Sequence, residues 1–220
     1  MITFKLFASL PGPVPIREMK LILFILVVAA LISVPSIAQD LNVSQFEHLK
    51  EPKISSKENQ KVLVVEAKGD PNLRSGKAFG LVFQLYYRIQ ETPKGPMQAA
   101  PRARWLVSLD TPRSEWIGSY ALPVSETVIQ LPQYEAQEGL KASLTIWEYG
   151  EVAEILHVGP YNREEPTIKR LIEFIKKQGY MIVGAHEEEY IKGPTMYGPG
   201  DPEGYVTIIR YRVRKTDKNE

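Results

Sequence analysis

Apolar positions recur along this chain with two different periods, and the switches between them mark out its elements. The run KVLVVEAKG at 61–69 is rich in β-formers, and so is EVAEILHVG at 151–159, with partial alternation. Helical spacing follows each: Ala78, Leu81, Val82 and Leu85 after the first, Ile168, Leu171, Ile172 and Ile175 after the second. Further on, Trp116-Ile117-Gly118-Ser119-Tyr120 falls in phase with Tyr205-Val206-Thr207-Ile208-Ile209. The chain states one pattern twice, about ninety residues apart, and each copy reads strand, helix, strand, strand.

In the first copy Ser75 is the expected cap of a helix over 76–89, with strands near 102–109 and 115–124. In the second, Pro166 suits the first helical turn and Gly179 the residue just past the end, with strands near 181–191 and 204–214. Added strands are expected near Ile54 and over 144–149. The fold class expected is α+β: two pseudo-symmetric strand-helix-strand-strand repeats forming an antiparallel sheet, helices on one side, with a ligand cleft between the repeats. Repeat one covers 53–124, a link 125–141 and repeat two 142–215, with a linker at 39–52 before them.

Upstream, Lys20 opens the apolar run LILFILVVAALISVPSIAQD, which closes on the small residues Ser36 and Ala38. A basic start, an apolar middle and a small-residue close describe a secretory signal peptide over about 19–38, cut after Ala38. An uncleaved membrane anchor is the alternative, since the run is near the shortest that spans a bilayer. Residues 1–18, with Pro11, Pro13 and Pro15, do not resemble the start of such a peptide. Translation is expected to begin at Met19, or those residues to be dispensable. The mature chain is accordingly expected to be exported, periplasmic or secreted.

Composition narrows the chemistry. The formal net charge is +1, with basic residues scattered rather than striped, so no nucleic-acid partner is expected. The chain has no cysteine, which removes disulfides, thiolate metal sites, a cysteine nucleophile and lipoprotein processing together. His48, His157 and His186 lack metal-ligand spacing, so no metal and no cofactor are expected. A GxSxG serine, a P-loop and a GxGxxG turn are all missing.

One stretch stands out, His186-Glu187-Glu188-Glu189-Tyr190. On a strand, alternation puts Glu187 and Glu189 on one face and His186, Glu188 and Tyr190 on the other; if the first set meets solvent, Glu188 and Tyr190 point together at the opposite surface. A carboxylate partly desolvated among aromatics receives a cationic or amphiphilic ligand through ion pairing and cation–π contact. Trp105, Trp116, Tyr120, Trp147, Tyr161 and Tyr205 fall on predicted strands or their ends and can line such a site, although strand aromatics are first of all core material.

The sequence His157-Val158-Gly159-Pro160-Tyr161, the amphipathic helix after it, Gly179-Tyr180 and then Glu188-x-Tyr190 together resemble the GyrI-like (gyrase-inhibitor-like) family. Its members include the effector-binding domains attached to AraC-type and MerR-type regulators. The resemblance is firmest over 144–215 and weaker over 53–124, where the motif reads Ala67-Lys68-Gly69-Asp70-Pro71. It implies paired strand–helix–strand–strand units with a pocket between them for hydrophobic, often cationic compounds. By motif the family's pocket glutamate is Glu188 and its accompanying tyrosine Tyr190, with Tyr161 at the pocket edge. Some members are hydrolases that open cyclopropane-bearing toxins. The related haem-binding SOUL proteins share a similar architecture, but neither His157 nor His186 is a clear haem ligand here. A helix-turn-helix is missing, which argues against transcription regulation by this chain itself.

The leading expectation is an exported, stand-alone GyrI-like domain that binds a small hydrophobic or cationic molecule without turning it over. Glu188 supplies the charge, Tyr190, Tyr161 and Trp105 the stacking walls, and Trp116, Tyr120 and Trp147 further aromatic surface. The membrane enters only through an uncleaved N-terminal segment. Two alternatives stay open: a hydrolase in which Glu188 activates water, and a non-catalytic envelope interaction module.

Overall fold

The computed structural model of the chain describes residues 43–108, 110–194, 198 and 200–216. The N-terminal apolar run, its expected cut and residues 1–18 lie outside the described residues. The strands are β1 (Lys53–Lys57), β2 (Gln60–Lys68), β3 (Arg102–Trp105), β4 (Ile117–Pro123), β5 (Leu140–Trp147), β6 (Gly150–Val158), β7 (Tyr180–Lys192) and β8 (Val206–Lys215), and the α-helices are α1 (Pro71–Tyr86) and α2 (Glu165–Lys177). They build an α+β fold on one eight-stranded sheet of order β1-β6-β8-β7-β3-β4-β2-β5, antiparallel at every pairing.

Each half runs strand–helix–strand–strand, β2-α1-β3-β4 and β6-α2-β7-β8, while β5 and β1 add the outer edges. Gly69 and Gly159 end the first strand of each with φ of 120° and 131°, a left-handed conformation that glycine adopts without steric cost. Their N–H groups donate to the carbonyls of Trp116 at 2.8 Å and Tyr205 at 3.0 Å.

Helix α1 starts earlier than its apolar spacing suggests. Asp70, not Ser75, is the cap: its carboxylate accepts from the Asn72 N–H at 2.9 Å, and Pro71 takes the first helical position. Ser75 sits inside the helix and donates back to the Pro71 carbonyl at 2.6 Å. The helix ends at Tyr86, short of Ile89. In α2, Pro166 lies in the first turn and Gly179, at φ 73°, follows the end. Strand β3 stops at Trp105 and β4 starts at Ile117, each shorter than expected, with a 3-10 turn over Arg113–Glu115 between them.

Both helices cover the same face. Leu81, Val82 and Leu85 of α1 pack on Leu63, Val65 and Leu122, and Leu171 and Ile175 of α2 pack on Ile155 and Ile209. Ala103, Glu188 and Ile209 are register partners across β3, β7 and β8, and register partners share a face. Glu188 therefore projects from the helix side at the seam where β3 and β7 join the halves. The back face carries two apolar patches, Val62, Val64, Ala121 and Trp147 in one, Leu156, Ile191, Val206 and Ile208 in the other. Leu49 covers the second patch from a 3-10 helix over Val43–Leu49, inside the stretch expected as a linker.

Candidate functional site

Strand β7 alternates its glutamates between two very different surroundings. On the helix face, Glu188 is 8 % exposed and accepts three hydrogen bonds. Trp105 Nε1 donates to Oε1 at 2.8 Å from across the seam, His186 Nε2 lies 3.0 Å from the same oxygen, and the Tyr190 hydroxyl donates to Oε2 at 2.5 Å. A carboxylate only accepts, so Nε2 of His186 carries hydrogen; Nδ1 lies 2.9 Å from the Tyr211 hydroxyl. Burial alone would raise the Glu188 pKa. The hydrogen bond and charge of His186, then Tyr190 and Trp105, outweigh it and hold the carboxyl below the usual range. Among the described residues, Glu188 forms an ion pair with no Lys or Arg.

Aromatic rings run past Glu188 in one unbroken series. Trp116 packs on Trp105 with centroids 5.2 Å apart, Trp105 meets Tyr120 edge-on at 5.8 Å, and Tyr120 meets Phe79 at 5.0 Å. Phe79 continues to Tyr190 at 5.8 Å, Tyr190 to Tyr161 at 5.4 Å, and Tyr161 to Tyr205 at 5.1 Å. Trp105 and Tyr190, which both bond Glu188, come from opposite halves. Burial and then Glu188 itself keep the Tyr190 and Tyr120 hydroxyls protonated far above neutrality. Phe79, on α1, had no place among the residues expected at the site.

Trp147 does not join this group. It pairs with Gln60 of β2, an even-numbered position, whereas Leu63 and Val65 of the same strand face α1. Trp147 is therefore on the back face, where the Arg104 guanidinium stacks over its ring at 4.0 Å.

On the back face Glu187 and Glu189 meet arginines rather than solvent. Arg104 Nε donates to Glu187 Oε2 at 2.6 Å, and Arg210 Nη1 and the Tyr149 hydroxyl donate to Oε1 at 2.5 and 2.9 Å. Glu189 accepts from Arg102 Nη2 at 3.1 Å and Arg210 Nη2 at 2.9 Å, and Arg210 Nε also donates to Glu154 at 2.6 Å. Glu154, Arg210, Glu187 and Arg104 stand side by side on β6, β8, β7 and β3 as register partners. Opposite charges alternate along that row, so each buried charge has a partner. A cavity of about 190 Å³ opens beside it, lined by Arg104, Glu148, Tyr149, Gly184 and Arg212 among others.

A second carboxyl near Glu188 also had no place in the expectation. Glu164, just before α2, is 5 % exposed, and its Oε1 makes no hydrogen bond. Burial, then the charge of Glu188, push its pKa up to about 9, with only the nearby Thr207 hydroxyl favouring the charge. His157 stays structural: Nδ1 lies 3.0 Å from the Thr167 hydroxyl and Nε2 3.3 Å from the Pro160 carbonyl. Among the described residues, no three His, Cys, Asp or Glu side chains converge as a metal site.

No protein-family model and no curated protein matches the chain. Solved structures do. A hydrolase from Listeria innocua superposes with a TM-score of 0.59 at 19% identity, covering 78% of this chain and 96% of that one. A conserved protein from the same organism gives 0.61 at 19% identity, over 78% and 98%. The EcmrR C-terminal domain gives 0.52 at 12% identity, over 76% and 98%. The likeness is one of fold. It extends over nearly the whole of each of those chains.

Proposed function

We propose that this chain is a stand-alone GyrI-like domain that binds a small hydrophobic cation between its two halves, against Glu188. One observation carries the reading. Of three successive glutamates on β7, Glu187 and Glu189 are each paired with arginine, while buried Glu188 is hydrogen-bonded but pairs with no Lys or Arg among the described residues. A buried anion whose neighbour is His186 rather than a Lys or Arg, flanked by Trp105 and Tyr190, favours a cation with aromatic or apolar surface. The apolar run at 21–38, with its Ser36 and Ala38 close, supports export of the domain.

Titration with tetraphenylphosphonium, followed by tryptophan fluorescence, tests the binding. Glu188→Gln should weaken it by about 1.5–3 kcal/mol, the usual worth of a hydrogen-bonded charge. Equal affinities for the two proteins would remove Glu188 from the site.

A hydrolase reading draws support from the fold shared with the Listeria hydrolase and from a protonated carboxyl, Glu164, near Glu188. Against it, a carboxylate held below the usual range is a weak base for activating water. Mass spectrometry of a strained-ring substrate, incubated with the protein, separates the two: an added water marks turnover and an unchanged compound marks binding.

A further inference from the structure

Glu164 owes its place to a difference between the halves. After Gly69 the first half enters α1 directly from Asp70, whereas after Pro160 the second inserts a 3-10 turn over Tyr161–Arg163. Glu164 closes that turn, its N–H donating to the Tyr161 carbonyl at 3.3 Å, and its own carbonyl accepts the α2 bond from Ile168 at 2.9 Å. The Glu164 side chain makes no capping bond to α2. It lies buried, with Oε1 unpartnered.

The wall it meets is only weakly satisfied. Thr207 on β8 is fully buried, and its hydroxyl makes no close hydrogen bond, lying only near enough to Glu164 to favour its charge slightly. Thr207 is the register partner of Tyr190, whose hydroxyl bonds Glu188, and of His157 on β6. The titratable groups around Glu164 are thus Glu188 and Tyr190 from β7 and Tyr161 from the turn, with His157, bonded elsewhere, beyond Thr207. Glu164 Oε1 and Thr207 Oγ1, two adjacent buried polar atoms without a close hydrogen bond, hold spare binding capacity.

We infer that Glu164 and Thr207 form a second subsite beside Glu188 that takes a second basic nitrogen, so that the domain prefers an aromatic dication to a lone quaternary or phosphonium centre. The inference rests on the reading of Glu188 as the first cation's partner. A positive N–H group at Glu164 gives Oε1 and Thr207 Oγ1 the close partner they lack and offsets the repulsion of Glu188 with attraction. Glu164 then releases its proton to solvent, and two carboxylates face two cations.

Calorimetry at neutral pH, with tetraphenylphosphonium as monocation and quinacrine as aromatic dication, in two buffers of different ionisation enthalpy, tests this. Quinacrine should release about one proton per site and tetraphenylphosphonium none. In Glu164→Gln the proton release should vanish, and the preference for quinacrine should fall by at least about tenfold, as for one lost charged hydrogen bond. Thr207→Val should lower the same preference. Tetraphenylphosphonium binding combined with quinacrine binding that releases no proton, or with an unchanged preference in Glu164→Gln, overturns the second subsite alone. Binding of neither compound to the unmodified chain overturns the Glu188 reading and this one with it.

Discussion

The indole N–H of Trp105 donates to Glu188 Oε1 at 2.8 Å, a bond that ties β3 of one half to β7 of the other. It is one of three that keep the buried carboxyl ionised. A depressed carboxyl pKa stabilises the fold above the ordinary carboxyl range, and that stability is lost as pH falls through the folded value. Trp105→Phe keeps an aromatic ring and removes the donor. Denaturant unfolding at neutral pH should show a loss of about 1.5–3 kcal/mol from the missing bond, and the part due to Glu188 should shrink in acid. A loss equal at both pH values would be packing alone.

On the back face, Arg210 donates to Glu187, Glu189 and Glu154 at once, and burial opposes its charge less than those three carboxylates favour it. Removing it strands the acids. Arg210→Met should cost about 3–5 kcal/mol in unfolding free energy. Lys169→Ala, which breaks the exposed pair with Glu165, should leave the unfolding midpoint where it was.

These two faces also show what the sequence could and could not convey. Strand β7, helix α2 and the matched turns at Gly69 and Gly159 follow from apolar period and turn chemistry, because those signals are local. Alternation separated Glu188 from Glu187 and Glu189, but what the outer pair meets was not legible. Their arginines lie on β3 and β8, and nothing within β7 announces which strands flank it. The placement of Trp147 was hidden for the same reason: its face depends on register with β2. Asp70-Pro71 read as a decayed turn motif, yet the pair is the cap and first residue of α1. Glu164 had a faint signal, an acid just before a helix, but the ordinary meaning of that signal is a cap.

Two glycines are fixed by ring tips rather than by backbone angle. A Cβ on Gly118 would sit 2.8 Å from Cε2, Cζ and the hydroxyl of Tyr120, and one on Gly193 would sit 2.5 Å from the Tyr161 hydroxyl. Tyr120 is almost fully buried against Phe79 and Trp105, so its ring has nowhere to go. Gly118→Ala should cost about 1–3 kcal/mol by overpacking. Tyr161 is half-buried and can swing outward, so Gly193→Ala should cost less and instead alter the near-UV circular dichroism of the tyrosine cluster.

Glu164 makes the clearest statement about pH. Its folded pKa stands at about 9, so above the ordinary carboxyl range the folded chain holds a proton that the unfolded chain has released. Stability must then fall as pH rises, with a slope approaching 1.4 kcal/mol per pH unit as an order of magnitude, and the fall ends once Glu164 ionises in the folded state. The start of α2, which would favour a negative charge, is too weak to reverse this against burial and Glu188. Glu164→Gln keeps the shape and removes the titration. Its stability relative to the unmodified chain should climb from the ordinary carboxyl range up to about pH 9 and stay level beyond. Denaturant midpoints measured across that range give the answer directly: two parallel curves would mean that Glu164 is already ionised in the fold, its charge balanced by a partner.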